Sequence, residues 1–137
     1  MSLARTLLFG RDRERSLRAV AVGLAGLVVM VFFWNAGRLA EDASDLLPVD
    51  VVGTIAVLLL AVACVHAYTN DGLVVNWGVV ALVVFGGTVN GVGAGLQPLS
   101  SVERTAFGLV AALAAGVAVG TVGFVLGAGA RRLVDPW

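Results

Sequence analysis

Cys64 and His66 are the two side chains of the Asp, Glu, Lys, Arg, His and Cys types within the long apolar stretches of the sequence, and both types can serve in catalysis or as metal ligands. They lie two residues apart, and because a helix turns by ~100° per residue, their side chains point about 200° apart. Such a pair can neither ligate one ion together nor form a Cys–His catalytic pair. We therefore predict no catalytic residue, no cofactor and no metal site, and we expect that the protein is not an enzyme.

Two asparagines, Asn76 and Asn90, interrupt the next apolar stretch. Their spacing is about 40° short of four full helical turns, so they share a helix face with Gly87. We interpret the two amides as interhelical hydrogen-bonding groups that point away from lipid. The alternative is a polar path for a small solute, in which His66 would join them, since intramembrane polar groups can mark such paths. For His66 itself, a core or interfacial position is the main interpretation.

A glycine-rich run, FGGTVNGVGAGL, covers residues 85–96. Glycines can cradle a phosphate, but a P-loop needs Lys followed by Ser or Thr after its second glycine, and Gly91 is followed by Val92 and Gly93. The register also differs from the G-x-G-x-x-G of a dinucleotide site. We therefore expect these glycines to let two helices approach each other closely.

Small residues recur at every fourth position on two apolar stretches, which places them along one helix face. The absence of side chains there allows a neighbouring backbone to approach and gain dispersion contacts. Thirteen of the eighteen glycines occur from Gly72 onward, so we predict close contact between the third and fourth stretches. Whether this packing occurs within one chain or between chains stays open. The predicted packing residues are Gly87, Gly91, Gly95, Gly116, Gly120, Gly123 and Gly127.

The composition indicates that membrane helices carry these residues. Of the 137 residues, 59% are hydrophobic and 13% are charged, whereas soluble domains have roughly 45–50% and about 25%. Four apolar stretches approach the ~20 residues that cross ~30 Å of hydrocarbon. We predict an all-α fold, an integral membrane four-helix bundle that forms a single domain over residues 1–137. The predicted spans are about residues 19–37, 51–68, 73–96 and 105–130.

Polar residues mark the ends of the predicted spans. The short link over residues 69–72 makes the second and third spans antiparallel neighbours. Asp71 would cap the third span with its carboxylate. Ser100 and Glu103 have the spacing of a capping box just before the fourth span.

The arginines predict the orientation of the bundle, since short cytoplasmic loops retain positive charge. Seven of the nine Arg lie before the first span or after the fourth, whereas residues 38–50 hold four acids and one Arg. We therefore expect both termini in the cytoplasm and the protein in the cell membrane, as a multi-pass protein. A cleaved signal peptide is the alternative for the first stretch. The bulky end of that stretch, Phe32-Phe33-Trp34, favours an uncleaved span.

The N-terminal segment, residues 1–18, combines five Arg with Leu and Phe. We expect it either to lie on anionic lipid headgroups or to form a solvated tail. Asp12 and Glu14 interrupt the basic run, and no aromatic platform accompanies it. We therefore expect no nucleic acid partner.

The lysine-free composition, rich in Val, Ala, Gly and Arg, resembles that of small multi-span membrane proteins of halophilic archaea. In size the chain is similar to small multidrug exporters, whose chemistry depends on a carboxylate in the first span, but residues 19–34 contain none. It also resembles fluoride channels in length and in mixing Gly with Asn, without their small-residue run that ends in an arginine. These resemblances imply no particular activity.

The abundant small-residue faces predict an integral membrane packing, accessory or assembly protein without catalytic activity of its own. Its expected partners are the lipid bilayer and either further copies of the chain or other membrane subunits. The alternative is an oligomeric small-solute channel or carrier lined by intramembrane Asn.

Overall fold

The computed structural model describes residues 3–39, 51–91 and 100–134, and these residues form five helices and no strand. One short helix is followed by four long ones: α1 Leu3–Phe9, α2 Arg13–Leu39, α3 Val51–Asn70, α4 Leu73–Gly91 and α5 Ser101–Val134. The predicted all-α fold is confirmed for this part of the chain.

Three stretches are long and apolar enough to cross a membrane: Arg5–Ala36, which includes the link between α1 and α2, Gly53–Asn70 and Ser101–Val134. Helix α4 adds a shorter apolar stretch, Leu73–Val89. The predicted continuation of this span to residue 96 lies outside the described residues. The helices therefore support membrane association by their length and apolarity.

Polar caps explain why α2 and α5 begin before their apolar spans. At α2, the Glu14 N–H donates to the carboxylate of Asp12 (2.8 Å). At α5, the Ser100 N–H donates to Glu103 Oε2 (2.9 Å) and the Glu103 N–H donates to Ser100 Oγ (3.3 Å). This is the predicted capping box. The hydrogen bonds from Ser100 hold the pKa of Glu103 below its ordinary value.

Helix α4 lies between α2 and α5 and packs closely against both, while α3 packs mainly against α5. Leu59, Ala63 and Val80 form a buried apolar cluster, and Val119 of α5 packs against it. Helices α2 and α3 are consecutive in the chain but make few contacts with each other. Their separation leaves a gap between them over one side of α4.

Two glycines bring the backbone of α5 against α4. A Cβ atom added at Gly116 would lie 2.7 Å from the carbonyl oxygen of Trp77. One added at Gly120 would lie 2.8 Å from Cδ1 of the same tryptophan. Because real Cβ atoms do not approach other atoms so closely, the two helices can lie this near only where side chains are absent.

Two further glycines bring α5 against α3. A Cβ atom at Gly123 would lie 2.5 Å from the Cβ atom of Ala63. At Gly127 it would overlap the carbonyl oxygen of Cys64. All four of these approaches lie within one chain, and association between chains stays a prediction.

The glycines of α4 face a different neighbour from the one we expect from the sequence. A Cβ atom at Gly86 would lie 2.6 Å from the carbonyl oxygen of Leu27. At Gly87 it would lie 3.1 Å from Met30 Cε and 3.2 Å from Trp34 Nε1. These neighbours belong to α2, so Gly87 packs against the first predicted span and not the fourth.

Helical geometry gives the reason. Trp77 marks the face of α4 that meets α5, and Gly87 follows it by ten residues, which places the two about 80° apart. A glycine stripe on α4 therefore need not lie under α5, even though the two helices pack together. Gly91 ends α4, but its surroundings, like Gly95 itself, lie outside the described part of the structure.

Candidate functional site

The turn between α3 and α4 is buried although it is polar. Asn70 is 0% exposed and Asp71 is 1% exposed. Asp71 and Gly72 have φ angles of 58° and 91°, in the left-handed region that aspartate and glycine enter more readily than most residues. Buried polar groups of this kind need hydrogen-bond partners from other parts of the chain.

Two arginines that are distant in sequence bind the Asp71 carboxylate. Arg11 Nε donates to Oδ2 (2.9 Å), and Arg131 Nη2 donates to both carboxylate oxygens (2.8 and 2.9 Å). The Arg131 side chain is 12% exposed and that of Arg11 is 58% exposed, so the bond to Arg131 is better shielded from water. From the sequence we expect Asp71 to cap α4. In the structure its carboxylate instead bridges the α1–α2 link and the end of α5.

The Asn70 side chain binds the start of α2. Its Oδ1 accepts the Asp12 N–H (2.7 Å), and its Nδ2 donates to Ser16 Oγ (2.9 Å) and to the Asp12 carbonyl oxygen (3.2 Å). These contacts and those of Asp71 hold the N-terminal link, the α3–α4 turn and the end of α5 at one end of the bundle. We call this set the end cluster: Arg11, Asp12, Ser16, Asn70, Asp71 and Arg131.

Helix α1 is folded onto the same end. Gly10, with a φ of 92°, separates α1 from α2. A Cβ atom at Gly72 would lie 3.2 Å from the Gly10 nitrogen, and the Arg11 N–H donates to the Asn70 carbonyl oxygen (2.9 Å). The last turn of α1 therefore rests on the α3–α4 turn.

A groove of about 590 Å³ runs between α2 and α3, with α4 as its floor. Valines and alanines of all three helices form most of its lining. The wall residues Val22 and Val65 are 56% and 64% exposed, so the groove is open along its side. Its polar lining residues are Arg15, Arg18, His66, Thr69 and Asn76.

Two of the three polar residues proposed from the sequence meet in this groove. Asn76 is 1% exposed, and its Nδ2 donates to the Ala63 carbonyl oxygen (3.0 Å), as expected for an interhelical hydrogen bond. Its Oδ1 is buried without a hydrogen-bond partner, and so is Nε2 of His66. The side chain of Asn90 lies outside the described residues. The structure thus places two orphaned polar atoms at one apolar groove.

Arg15 and Arg18, which we call the groove arginines, lie at the end of the groove nearest the end cluster. Arg15 Nη1 donates to the Thr69 carbonyl oxygen (3.0 Å), and this bond joins α2 to α3. Arg18 Nη2 pairs with Glu14 one turn before it. From the sequence these arginines predict the orientation of the bundle and an N-terminal segment that lies on anionic lipid headgroups or forms a solvated tail. Their i, i+3 spacing indicates one helix face, but nothing in the sequence shows that α3 lies opposite.

Cys64 and His66 are separated as helical geometry predicts. The backbone of Cys64 lies against α5, next to Gly123 and Gly127, whereas His66 lines the groove on the α2 side. Among the residues that the structure describes, no three His, Cys, Asp or Glu side chains could hold a common metal ion. The groove is therefore the candidate site, and its chemistry is hydrogen bonding and the binding of an anion by arginine, beside an apolar surface.

Comparison with known proteins gives one match. Residues 42–137 match a family described as a domain of unknown function, DUF8071. No curated protein and no solved structure matches the chain. The matched residues contain α3, α4 and α5, which supply Asp71, Arg131 and the His66 and Asn76 side of the groove. Since the match covers more than half of the 137 residues, the chain belongs to the DUF8071 family.

Proposed function

We propose that the protein is a four-span integral membrane protein of the cell membrane that acts as a packing, accessory or assembly protein, without a catalytic reaction of its own. Both termini and the α3–α4 turn face the cytoplasm. Its partners are bilayer lipids together with further copies of the chain or other membrane subunits.

The observation that carries the proposal is the close packing of α5 on both α3 and α4 through glycines. The backbone of α5 contacts α3 and α4 at these glycines. Leu59, Ala63 and Val80 are buried beside them, so the centre of this part of the bundle is filled. Outward-facing residues are apolar: Val29 is 63% exposed and Phe32 is 71% exposed. A filled bundle with an apolar outer surface suits a protein that acts by association within the bilayer.

The end cluster supports the proposed orientation. It joins the N-terminal link, the α3–α4 turn and the end of α5, and most arginines of the sequence lie near that end. Under the positive-inside rule this is the cytoplasmic end. Its charged groups also have a structural use, because Asp71 is bound by Arg11 and Arg131.

Reporter fusions test the orientation. We expect a fusion after Asp45 to report the outer side and a fusion after Trp137 to report the cytoplasm, because seven of the nine Arg flank the two ends of the bundle. The paired measurement is alkaline phosphatase and fluorescent-protein activity of each fusion. Both fusions on one side would contradict the four-span topology. A mature protein that lacks the residues before Asn35 would establish the signal-peptide alternative.

Association is tested in the native membrane. We expect chemical cross-linking, followed by purification in mild detergent, to give a complex of constant stoichiometry that contains either several copies of the chain or a second membrane protein. Without the cross-link the same complex should dissociate progressively on dilution in detergent, since association between chains follows mass action. A chain that is monomeric before and after cross-linking and binds no membrane protein would contradict the accessory role.

A second candidate function is a small-solute channel or carrier, and the groove is the observation that favours it. Asn76 Oδ1 and His66 Nε2 are buried polar atoms without partners, of the kind that can line a solute path. The groove opens to the side of the bundle, so a closed path needs a second chain to cover it. This candidate therefore also requires an oligomer.

Solute flux separates the two candidates. In liposomes that contain the purified chain, we expect osmotic swelling and electrical leak no faster than in empty liposomes, because one groove opens sideways and does not cross the bundle. Flux that is present in the wild type and abolished by Asn76→Leu, with an unchanged melting temperature, would establish the channel. The control is Val79→Leu, an apolar change at the same groove.

A further inference from the structure

The lining of the groove changes from charged to apolar with distance from the end cluster. The groove arginines and Thr69 lie nearest to it, and the long Arg side chains can reach the end of the bundle. His66 lies four residues before the end of α3 and Asn76 three residues after the start of α4, which places them roughly 5–6 Å from the turn at 1.5 Å per residue. Val22 and Ala61 lie deeper still. A phospholipid has the same order of groups: phosphate, glycerol linkage and apolar chain.

The unpartnered atoms of Asn76 and His66 independently indicate a ligand. Asn76 is 1% exposed, and its amide nitrogen is already bound to Ala63. Its free Oδ1 therefore needs a donor, and a buried acceptor without one is unfavourable. The glycerol linkage of a diacyl lipid offers acceptor oxygens, to which His66 Nε2 can donate. A water molecule that donates to one such oxygen and to Asn76 Oδ1 can join the two.

The groove arginines favour an anion. Arg15 and Arg18 are 56% and 73% exposed at their side chains, and they contact Asp12 (3.5 Å) and Glu14, respectively. Such exposed ion pairs contribute little stability, so a phosphate can replace the carboxylates. Arginine binds phosphate through two parallel hydrogen bonds, which makes the exchange favourable. The bond from Arg15 to the Thr69 carbonyl oxygen holds one guanidinium at the groove edge.

We propose that the groove holds one anionic phospholipid from the bilayer. The lipid phosphate binds Arg15 and Arg18, and the glycerol linkage lies at Asn76 and His66. One acyl chain of the lipid lies along the valines between α2 and α3. The volume of about 590 Å³ falls within the ~300–1,000 Å³ typical of ligand sites. This inference rests on the membrane insertion proposed above and adds a specific ligand. The bound lipid joins α2 to α3, which have few contacts of their own.

Lipid retention tests the headgroup contacts. The full chain is reconstituted in vesicles of equal phosphatidylglycerol and phosphatidylcholine, extracted in mild detergent and measured by native mass spectrometry. We expect one bound lipid per chain, with phosphatidylglycerol enriched about tenfold. The double variant Arg15→Gln/Arg18→Gln should lose this enrichment. The control Arg13→Gln removes one arginine charge, against two in the double variant, from an exposed position of α2 outside the groove lining, and it should keep the enrichment.

Four outcomes of this experiment would overturn the proposal. These are equal retention of the two lipids by the wild type, equal loss of enrichment in Arg13→Gln, displacement of the lipid by inorganic phosphate alone, and a lipid-free dimer whose contact lies in the groove. Extraction of the membranes with alkaline carbonate reports insertion separately. A chain that resists carbonate but shows no lipid preference refutes the lipid site and leaves the proposed function standing.

A second pair of variants tests the part of the groove that binds the acyl chain of the lipid, without changing the charge of the protein. Ala61→Phe places a ring in the groove, whereas Ala118→Phe places the same ring on an exposed position of α5. We expect Ala61→Phe to lower phosphatidylglycerol retention about tenfold and Ala118→Phe to leave it unchanged. Unchanged retention in Ala61→Phe, with a melting temperature like that of the control, would show that no lipid chain lies in the groove.

Discussion

Gly127→Ala is expected to destabilise the bundle by about 3 kcal/mol, the upper end of the usual cost of overpacking. The added methyl group would overlap the carbonyl oxygen of Cys64, which belongs to the backbone of α3 and cannot rotate away. Helix α5 would have to move off α3 along its length. The measurement is the melting temperature in mild detergent, with protease resistance as a second readout.

The same helix supplies a matched control two residues further on. A Cβ atom at Gly129 meets no atom within 4 Å, so Gly129→Ala makes the same chemical change without a contact. We expect it to leave the melting temperature within a degree or so of the wild type, because surface substitutions usually change stability by less than ~0.5 kcal/mol. Equal melting temperatures for the two variants would show that α5 does not approach α3 as closely as the structure describes.

Much of the fold could be predicted because its determinants are local. The apolar stretches predict the helices, and the capping box at Ser100 and Glu103 is formed as its spacing indicates. The local sequence does not show which helix packs against each glycine face. Gly87 illustrates this, because its stripe is visible in the sequence, but its contact with Met30 and Trp34 depends on where α2 lies.

The groove could be predicted only in part for the same reason. Asn76 and His66 are recognisable as polar residues in apolar stretches, and the structure brings them to one groove. The groove itself exists because α2 packs on α4 while α3 packs on α5, so that two consecutive helices stand apart. No periodicity within either helix encodes that separation. Arg15 and Arg18 become part of a site only when α3 lies opposite them.

The end cluster shows how few charged residues hold the ends of the helices together. Asp71 lies in a buried turn and accepts hydrogen bonds from Arg11 and Arg131, which are 60 residues before and after it. Asp71 is 1% exposed and the Arg131 side chain is 12% exposed, so water screens this pair weakly. Removal of one partner leaves the other charge poorly compensated, which costs more than the intact pair contributes.

Asp71→Asn is therefore expected to destabilise the bundle by roughly 3 kcal/mol, the lower end of the cost of breaking a buried ion pair. Asparagine tolerates the left-handed conformation that Asp71 adopts at φ 58°, so the backbone of the turn is not strained by the change. The expected loss is therefore electrostatic. It is measured as a fall in melting temperature in mild detergent, together with faster proteolysis at the end of α5.

Two further variants make this expectation specific. Glu14→Gln removes the carboxylate of the exposed pair with Arg18, in which both side chains are more than 70% exposed, and we expect almost no change in stability. Arg131→Gln added to Asp71→Asn removes the poorly compensated charge, so the double variant should be more stable than Asp71→Asn alone. A double variant whose loss equals the sum of the two single losses would show that Asp71 and Arg131 act independently. The end cluster would then not tie α5 to the α3–α4 turn, because that tie requires the two charges to be coupled.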